Sequence, residues 1–342
     1  MIVRNKTIDV AKGIAILLVI LGHSFYSLNE PINKIILTFH MPLFFVLSGM
    51  VAKTADQVGN DERGYIRNKM RIFFVPQITL GMLSFIYYGA FTVVMKHRSL
   101  QEVGFIYQFW RYWFLQVMFI VVILFYFLSK YIKFSRRNQM ILLGSCLMIG
   151  IFFSYFMDFP DESPMYLNVV PMALFFFFLG YVVRKTLTVQ WEEKFKENRN
   201  KYAVLLVAGT VCCLSALGNK NVTMYNNNYG NFLLFASGSI SGILAVWCLA
   251  DILKENRFLR WCGLNSIVIY VWQFVLTQFF KNVVEMVCDK FYGNVPNIVM
   301  TVFVFLLCII AIIPIVLLSN LYIPEIYGKK RKKIILSDNR NK

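Results

Sequence analysis

Hydrophobic residues in this chain fall in long runs, and short polar stretches separate them. Apolar runs recur over 8–28, 33–52, 72–95, 105–129, 139–157, 166–184, 202–219, 231–252, 263–284 and 298–322. Each is long enough to cross a hydrocarbon core of about 30 Å as a helix. Backbone polar groups inside a bilayer must bond within their own segment, so the runs predict helices rather than open strands. The pattern therefore predicts an all-α, polytopic membrane helix bundle of about ten transmembrane helices. The longest connections, 53–71 and 185–201, are rich in charge and too short to fold alone. The expected organisation is a single transmembrane domain over 1–328 and a basic tail over 329–342. The first run is expected to stay as a span, because it is too long for a cleaved leader.

Composition points the same way. Of the 342 residues, 58% are hydrophobic and 15% are charged, against roughly 25% charged in a soluble domain. The net charge of +17 is unevenly placed. The N-terminus, 53–71, 130–138, 184–201, 251–260 and 329–342 together hold 28 of the 35 Lys and Arg residues. The other seven are Lys34, Lys96, Arg98, Arg111, Lys220, Lys281 and Lys290. The positive-inside rule makes the basic side cytoplasmic, with both termini there and the chain in the cell membrane. The tail Lys329-Lys330-Arg331-Lys332-Lys333 then reads as a stop-transfer and lipid-headgroup segment, not a nucleic-acid site. The seven cysteines lack metal-site spacing and read as small hydrophobic residues; no metal is expected.

Ionisable groups within a bilayer cost several kcal/mol, so each is a candidate for function. The first span carries Asp9, Lys12 and His23. Lys12 and His23 are 11 residues apart, which is about three turns, so they share a helix face roughly 16 Å apart along the axis. Asp9 lies one turn before Lys12. The two read either as a snorkelling pair or as part of a site. His40, in the second span, reaches a depth similar to that of His23, in the outer half of the membrane. The two histidines read as a catalytic pair or as hydrogen-bonded packing residues. Pro42 is expected to break the ladder of that helix and open space beside His40, and Ser48-Gly49 allows close helix approach. Arg67, Lys69 and Arg71 crowd the inner mouth of the third span. They reflect either positive-inside bias or a seat for a phosphate-bearing substrate. Arg111 lies among aromatics, His97 reads as solvated surface, and Asn265 and Gln273 mark the ninth span.

Three segments resemble the acyltransferase family 3, membrane O-acyltransferases that include fucose 4-O-acetylase-like and exopolysaccharide-modifying enzymes. They are Ile8-Asp9-Val10-Ala11-Lys12 with Leu21-Gly22-His23, Phe39-His40-Met41-Pro42-Leu43-Phe44-Phe45 with Leu47-Ser48-Gly49, and the stretch from Arg67 to Pro76. Weaker echoes follow in order at Trp113-Phe114-Leu115, Phe178-Leu179-Gly180-Tyr181 and Leu264-Asn265-Ser266. Trp272-Gln273 departs from the histidine that relatives often carry there. The resemblance implies transfer of an acyl group, usually acetyl, from cytoplasmic acyl-coenzyme A to a hydroxyl of a sugar or cell-surface glycopolymer. It implies His23 as base with His40 close by, and Asp9 and Lys12 in support. Arg67, Lys69 and Arg71 would seat the coenzyme, and Arg111, Trp113, Asn265 and Gln273 the acceptor. Acetyl-CoA or another acyl-CoA is then a co-substrate, and no permanently bound cofactor is expected. The partners expected are membrane lipids and a carbohydrate or glycolipid acceptor, with no nucleic acid. The alternative is a transporter or flippase of a glycolipid or organic anion, in which the same ionisable groups form a path.

Overall fold

The computed structural model describes residues 5–96, 104–110, 112–157, 164–185, 187, 198–291 and 295–329. The helices are α1 (Lys6–Ser24), α2 (Pro31–Met50), α3 (Ala55–Val58), α4 (Glu62–Lys96), α5 (Phe105–Trp110), α6 (Trp113–Tyr131) and α7 (Arg136–Phe156). They continue with α8 (Val170–Lys185), α9 (Asn198–Gly218), α10 (Phe232–Ile252), α11 (Arg257–Leu264), α12 (Ser266–Phe291) and α13 (Asn297–Tyr322). Ten helices among the described residues are long and apolar enough to cross a membrane. The fold is an all-α polytopic bundle.

Side-chain caps set several of the starts. The Asn5 carboxamide oxygen accepts from the Ile8 amide at 3.2 Å, Asn231 accepts from Leu233 and Leu234, and Asn256 accepts from Leu259. Each satisfies donors that the first helical turn leaves open. Pro31 opens α2, where its missing N–H costs nothing.

Successive spans run in opposite directions, so one face of the bundle gathers the basic connections. Lys6 pairs there with Glu255 at 2.8 Å, and Lys201 with buried Asp251 at 2.6 Å. This is the basic face of the bundle. On the distal face Lys34 donates to the Asn219 carbonyl at 2.9 Å.

α1 is the axis of the fold and packs against α2, α10, α11, α12 and α13. Two pairs of glycines bring helices into backbone contact. A Cβ at Gly13 would lie 1.9 Å from the Leu259 carbonyl oxygen, and one at Gly263 would lie 1.8 Å from that of Asp9. Gly49 and Gly180 do the same reciprocally between α2 and α8. This is small-residue packing of the kind membrane interiors favour, and it bears out the close approach expected at Ser48-Gly49.

Three features depart from the sequence reading. α4 begins at Glu62, ten residues before its apolar run, and so carries the charged stretch out of the apolar layer as helix. The fourth run is interrupted between α5 and α6. α2 runs unbroken through Pro42. Pro42 has no N–H for the Thr38 carbonyl, four residues back, and the Ser239 hydroxyl of α10 donates to that carbonyl instead, at 2.8 Å.

Candidate active site

The site is built on one stripe of α1. Lys12 and Ile16 line a cavity of about 200 Å³ toward the basic face. His23 lines a second cavity of about 470 Å³ toward the distal face. The 11-residue spacing of Lys12 and His23 sets them roughly 16 Å apart on the same side of the helix.

The basic cavity holds the two cations Lys12 and Lys69 among mainly apolar walls from α2, α6 and α12. Lys69 projects from α4 with Tyr65, Ile72 and Phe73, the residues at i−4, i+3 and i+4, which form one face. Its ammonium sits 5.2 Å from the centre of the Tyr65 ring, and Tyr65 stacks on Tyr126 at 4.9 Å. Two cations in a pocket otherwise lined by Phe, Val and Met suit the anionic end of an elongated ligand whose remainder is apolar or amide-like.

The distal cavity is aromatic. Tyr107, Tyr112, Trp113, Tyr166 and Tyr225 contribute to it, with Asn226 and Gln273 as its amides. His23 is exposed to this space, not enclosed as its depth in the sequence implied, and its ring meets Phe274 edge-on at 5.7 Å. Gln273 is buried, at 1% exposure. Its Oε1 has no hydrogen-bond partner among the described residues. A buried amide oxygen left unpaired costs about 1–3 kcal/mol. Here it belongs to a residue that lines the cavity, so a hydroxyl or N–H of a bound molecule would satisfy it.

Tyr270 lines both cavities. With Phe114 at 5.5 Å, itself 6.1 Å from Trp113, it forms an aromatic septum between them. The arrangement is two chambers end to end, one cationic and one aromatic and polar, meeting at Tyr270 alongside α1.

The residues singled out in the sequence divide accordingly. Lys12 and Lys69 reach the basic cavity, and His23, Trp113 and Gln273 reach the distal one. Asp9 is buried at the base of α1, beneath the contact with Gly263. His40 is buried and lines neither cavity, although its neighbour Met41 lines the distal one. Its Nδ1 lies 2.7 Å from the Ile36 carbonyl oxygen. That contact puts the proton on Nδ1 and leaves Nε2 as the acceptor of the neutral ring. Of Arg67, Lys69 and Arg71, only Lys69 lines the cavity. Arg67 is exposed, and Arg71 reaches the Lys329 carbonyl at 3.4 Å. Asn265 lines neither cavity. It caps α11 and accepts from Asn320 and Lys329, at 2.8 Å each. Arg111 and His97 lie outside the described residues.

Several contributors were missed in the sequence. Gln77 donates to the Phe109 carbonyl at 2.6 Å, and Gln116 donates to that of Trp110 at 2.8 Å. These bonds take up carbonyls freed where α5 ends, and so fix Tyr112 and Trp113 at the cavity wall. A Gln four residues after the Tyr of a Tyr-Trp pair, inside an apolar run, was the available signal. Tyr225 and Asn226 sit on a distal loop closed by a bridge between Thr223 and Asn228. Asn219 pins that loop through bonds to Tyr229 and Asn231, and nothing local in the sequence aims it at His23.

A family described as "Acyltransferase domain" matches residues 5–319. The chain is 26% identical over 243 residues to "Nodulation protein NolL" of Sinorhizobium fredii (strain NBRC 101917 / NGR234), covering 66% of this chain and 60% of that protein. It is also 26% identical over 247 residues to "Nodulation protein NolL" of Mesorhizobium japonicum (strain LMG 29417 / CECT 9101 / MAFF 303099), covering 66% and 59%. The chain thus matches about three fifths of the length of these curated relatives. No solved structure matches it significantly.

Proposed function

The chain belongs to the acyltransferase family matched over residues 5–319, and on that premise we propose that it is a membrane O-acetyltransferase. In this reading it moves acetyl from cytoplasmic acetyl-coenzyme A to a hydroxyl of a sugar or cell-surface glycopolymer. The basic face is cytoplasmic, and both termini lie there. The observation that carries the reading is the pair of chambers on the Lys12–His23 stripe, cationic at one end and furnished with a histidine and orphaned amide at the other.

The coenzyme phosphates sit toward Lys12 and Lys69, which meet them as point charges. A pantetheine arm on the order of 15–20 Å long matches the axial separation of Lys12 and His23. It would bring the thioester past Tyr270 to His23. An acceptor sugar enters the distal chamber, where aromatic walls cover its C–H faces and Gln273 Oε1 accepts from one of its hydroxyls. Neutral His23 takes the proton of the attacking hydroxyl as its oxygen adds to the thioester carbonyl. The tetrahedral intermediate then collapses, an ester forms, and the coenzyme leaves as thiolate and receives the proton. His40, anchored to Ile36, holds Met41 against the same chamber.

The test is transfer itself. Purified protein in vesicles is given acetyl-labelled coenzyme A on one side and simple glycosides on the other. Label appearing as a sugar ester supports the reading. Coenzyme that is neither bound nor consumed overturns it.

A further inference from the structure

His23 stands where a helix holds a side chain least firmly. α1 ends at Ser24, so His23 lies in its last turn. The last four carbonyls of a helix have no partner within it, and that turn frays unless something outside holds it. The Ser24 hydroxyl folds back onto the Ile20 carbonyl at 2.8 Å. Phe25 is already extended, with φ of −65° and ψ of 141°, and the chain leaves the helix there.

What holds this end comes from α12. The Lys281 ammonium donates to the Phe25 carbonyl at 2.5 Å. It also lies 5.1 Å from the centre of the Tyr26 ring, and the Tyr26 hydroxyl reaches back to the Lys281 carbonyl at 3.5 Å. Phe25 is buried, and Tyr26 and Lys281 are half-buried. A half-buried ammonium within an apolar bundle is costly. Here a carbonyl at the negative end of a helix and an aromatic face offset that cost. Lys281 is one of the seven basic residues away from the basic face, and it lines neither chamber.

The same helix carries the acceptor amide. Gln273, Thr277 and Lys281 recur every four residues and so lie along one side of α12. Gln273 and Phe274 line the distal chamber, and Phe274 meets the His23 ring edge-on. The Thr277 hydroxyl donates to the Gln273 carbonyl at 2.5 Å. A clamp between Lys281 and the end of α1 therefore sets how far the imidazole stands from the unpaired Gln273 oxygen.

We propose that Lys281 is a positioning residue for His23: by tying Phe25 and Tyr26 to α12 it keeps the last turn of α1 formed and the base in register with the acceptor amide. The clamp stands on packing alone; its consequence for rate rests on the acetyl-transfer reading.

The test compares full-length wild type with Lys281→Met and Tyr26→Leu in detergent micelles. Amide hydrogen exchange, read by mass spectrometry, follows residues 20–27 against the rest of the chain. Acetyl transfer is measured alongside, and Lys281→Met is also made on a His23→Gln background. In Lys281→Met, exchange should rise by about tenfold in residues 20–27 and nowhere else, because a charge-assisted hydrogen bond is lost. Its kcat should fall by about ten- to a hundredfold, the penalty for a small misplacement of a reacting group, with the KM for acetyl-coenzyme A unchanged. Tyr26→Leu removes only the ring beneath the ammonium and should show the same two changes to a smaller degree. On the His23→Gln background Lys281→Met should cost almost nothing further, because a residue that acts through the base has nothing left to position. Wild-type exchange in residues 20–27 of Lys281→Met overturns the proposal, and so does a rise spread over the whole chain or a full rate loss that recurs without His23. Should Lys281→Met fail to fold, wild-type exchange and kcat in Tyr26→Leu overturn it instead. If wild type transfers no acetyl, the transfer reading falls and the exchange measurement alone decides the clamp.

Discussion

Ser239→Ala tests how α2 tolerates a proline one residue from the cavity wall. In the native chain the Thr38 carbonyl lacks a donor because residue 42 is proline, and the fully buried Ser239 hydroxyl supplies one at 2.8 Å. Alanine leaves that carbonyl unpaired at 1% exposure of its residue. An orphaned buried acceptor costs about 1–3 kcal/mol, and side-chain hydrogen bonds in membrane bundles reach about 1.7 kcal/mol at most in measured cycles. The expected destabilisation is therefore about 1–2 kcal/mol. Pro42→Ala returns an N–H to the ladder, so Ser239→Ala on that background should cost less than half as much. The coupling is expected near 1 kcal/mol, read from unfolding of the four proteins in mixed micelles. Additive effects would show that Thr38 is satisfied otherwise and refute the explanation of the unbroken helix. Met41 should shift with the unpaired turn, so Ser239→Ala should also raise the acceptor concentration needed for half-maximal rate.

Three further outcomes follow from the chambers and the charge pattern. Gln273→Leu removes the orphaned oxygen, so the unfolding midpoint should hold or rise while the acceptor KM climbs about tenfold; an unchanged KM would take Gln273 out of acceptor binding. Tyr270→Ala opens the septum, and hydrolysis of acetyl-coenzyme A without acceptor should increase, read as thiol release in the absence of sugar; release at the wild-type rate would show that Tyr270 does not separate the chambers. Single cysteines at Glu30 and Asn226 should label from outside the cell and one at Asn60 only from inside; labelling of Glu30 or Asn226 from the cytoplasm alone would invert the proposed topology.

The spans were legible because a bilayer demands runs of a fixed length, and that length is written in the chain. Their ends were less so. Hydropathy placed the start of α4 at 72, yet the helix begins at Glu62, because helical bonding does not stop where the apolar layer does. That extension is what turns Lys69 toward the cavity and Arg67 away from it. The interruption before Trp113 was invisible, since Phe-Trp and Tyr-Trp-Phe read as one apolar stretch; the donors that stabilise it, Gln77 and Gln116, come from α4 and from the next turn of α6. The Lys12–His23 stripe was readable because it lies within one helix, where spacing fixes the face. What faces that stripe was not: Tyr270, Tyr225 and the orphaned Gln273 oxygen meet it only through packing between helices. Asn265 was readable from its motif, but its partners Asn320 and Lys329 come from distant segments and were not.

The central claim is that His23 removes the proton from the acceptor hydroxyl, and a single-turnover comparison of wild type with His23→Gln tests it most directly. Glutamine keeps hydrogen-bonding capacity but cannot take the proton. With coenzyme binding as the control for folding, transfer per bound coenzyme should fall by about 10²–10⁴-fold, the range for loss of a general base. A His23→Gln protein that binds coenzyme and transfers acetyl at close to the wild-type rate would contradict the account.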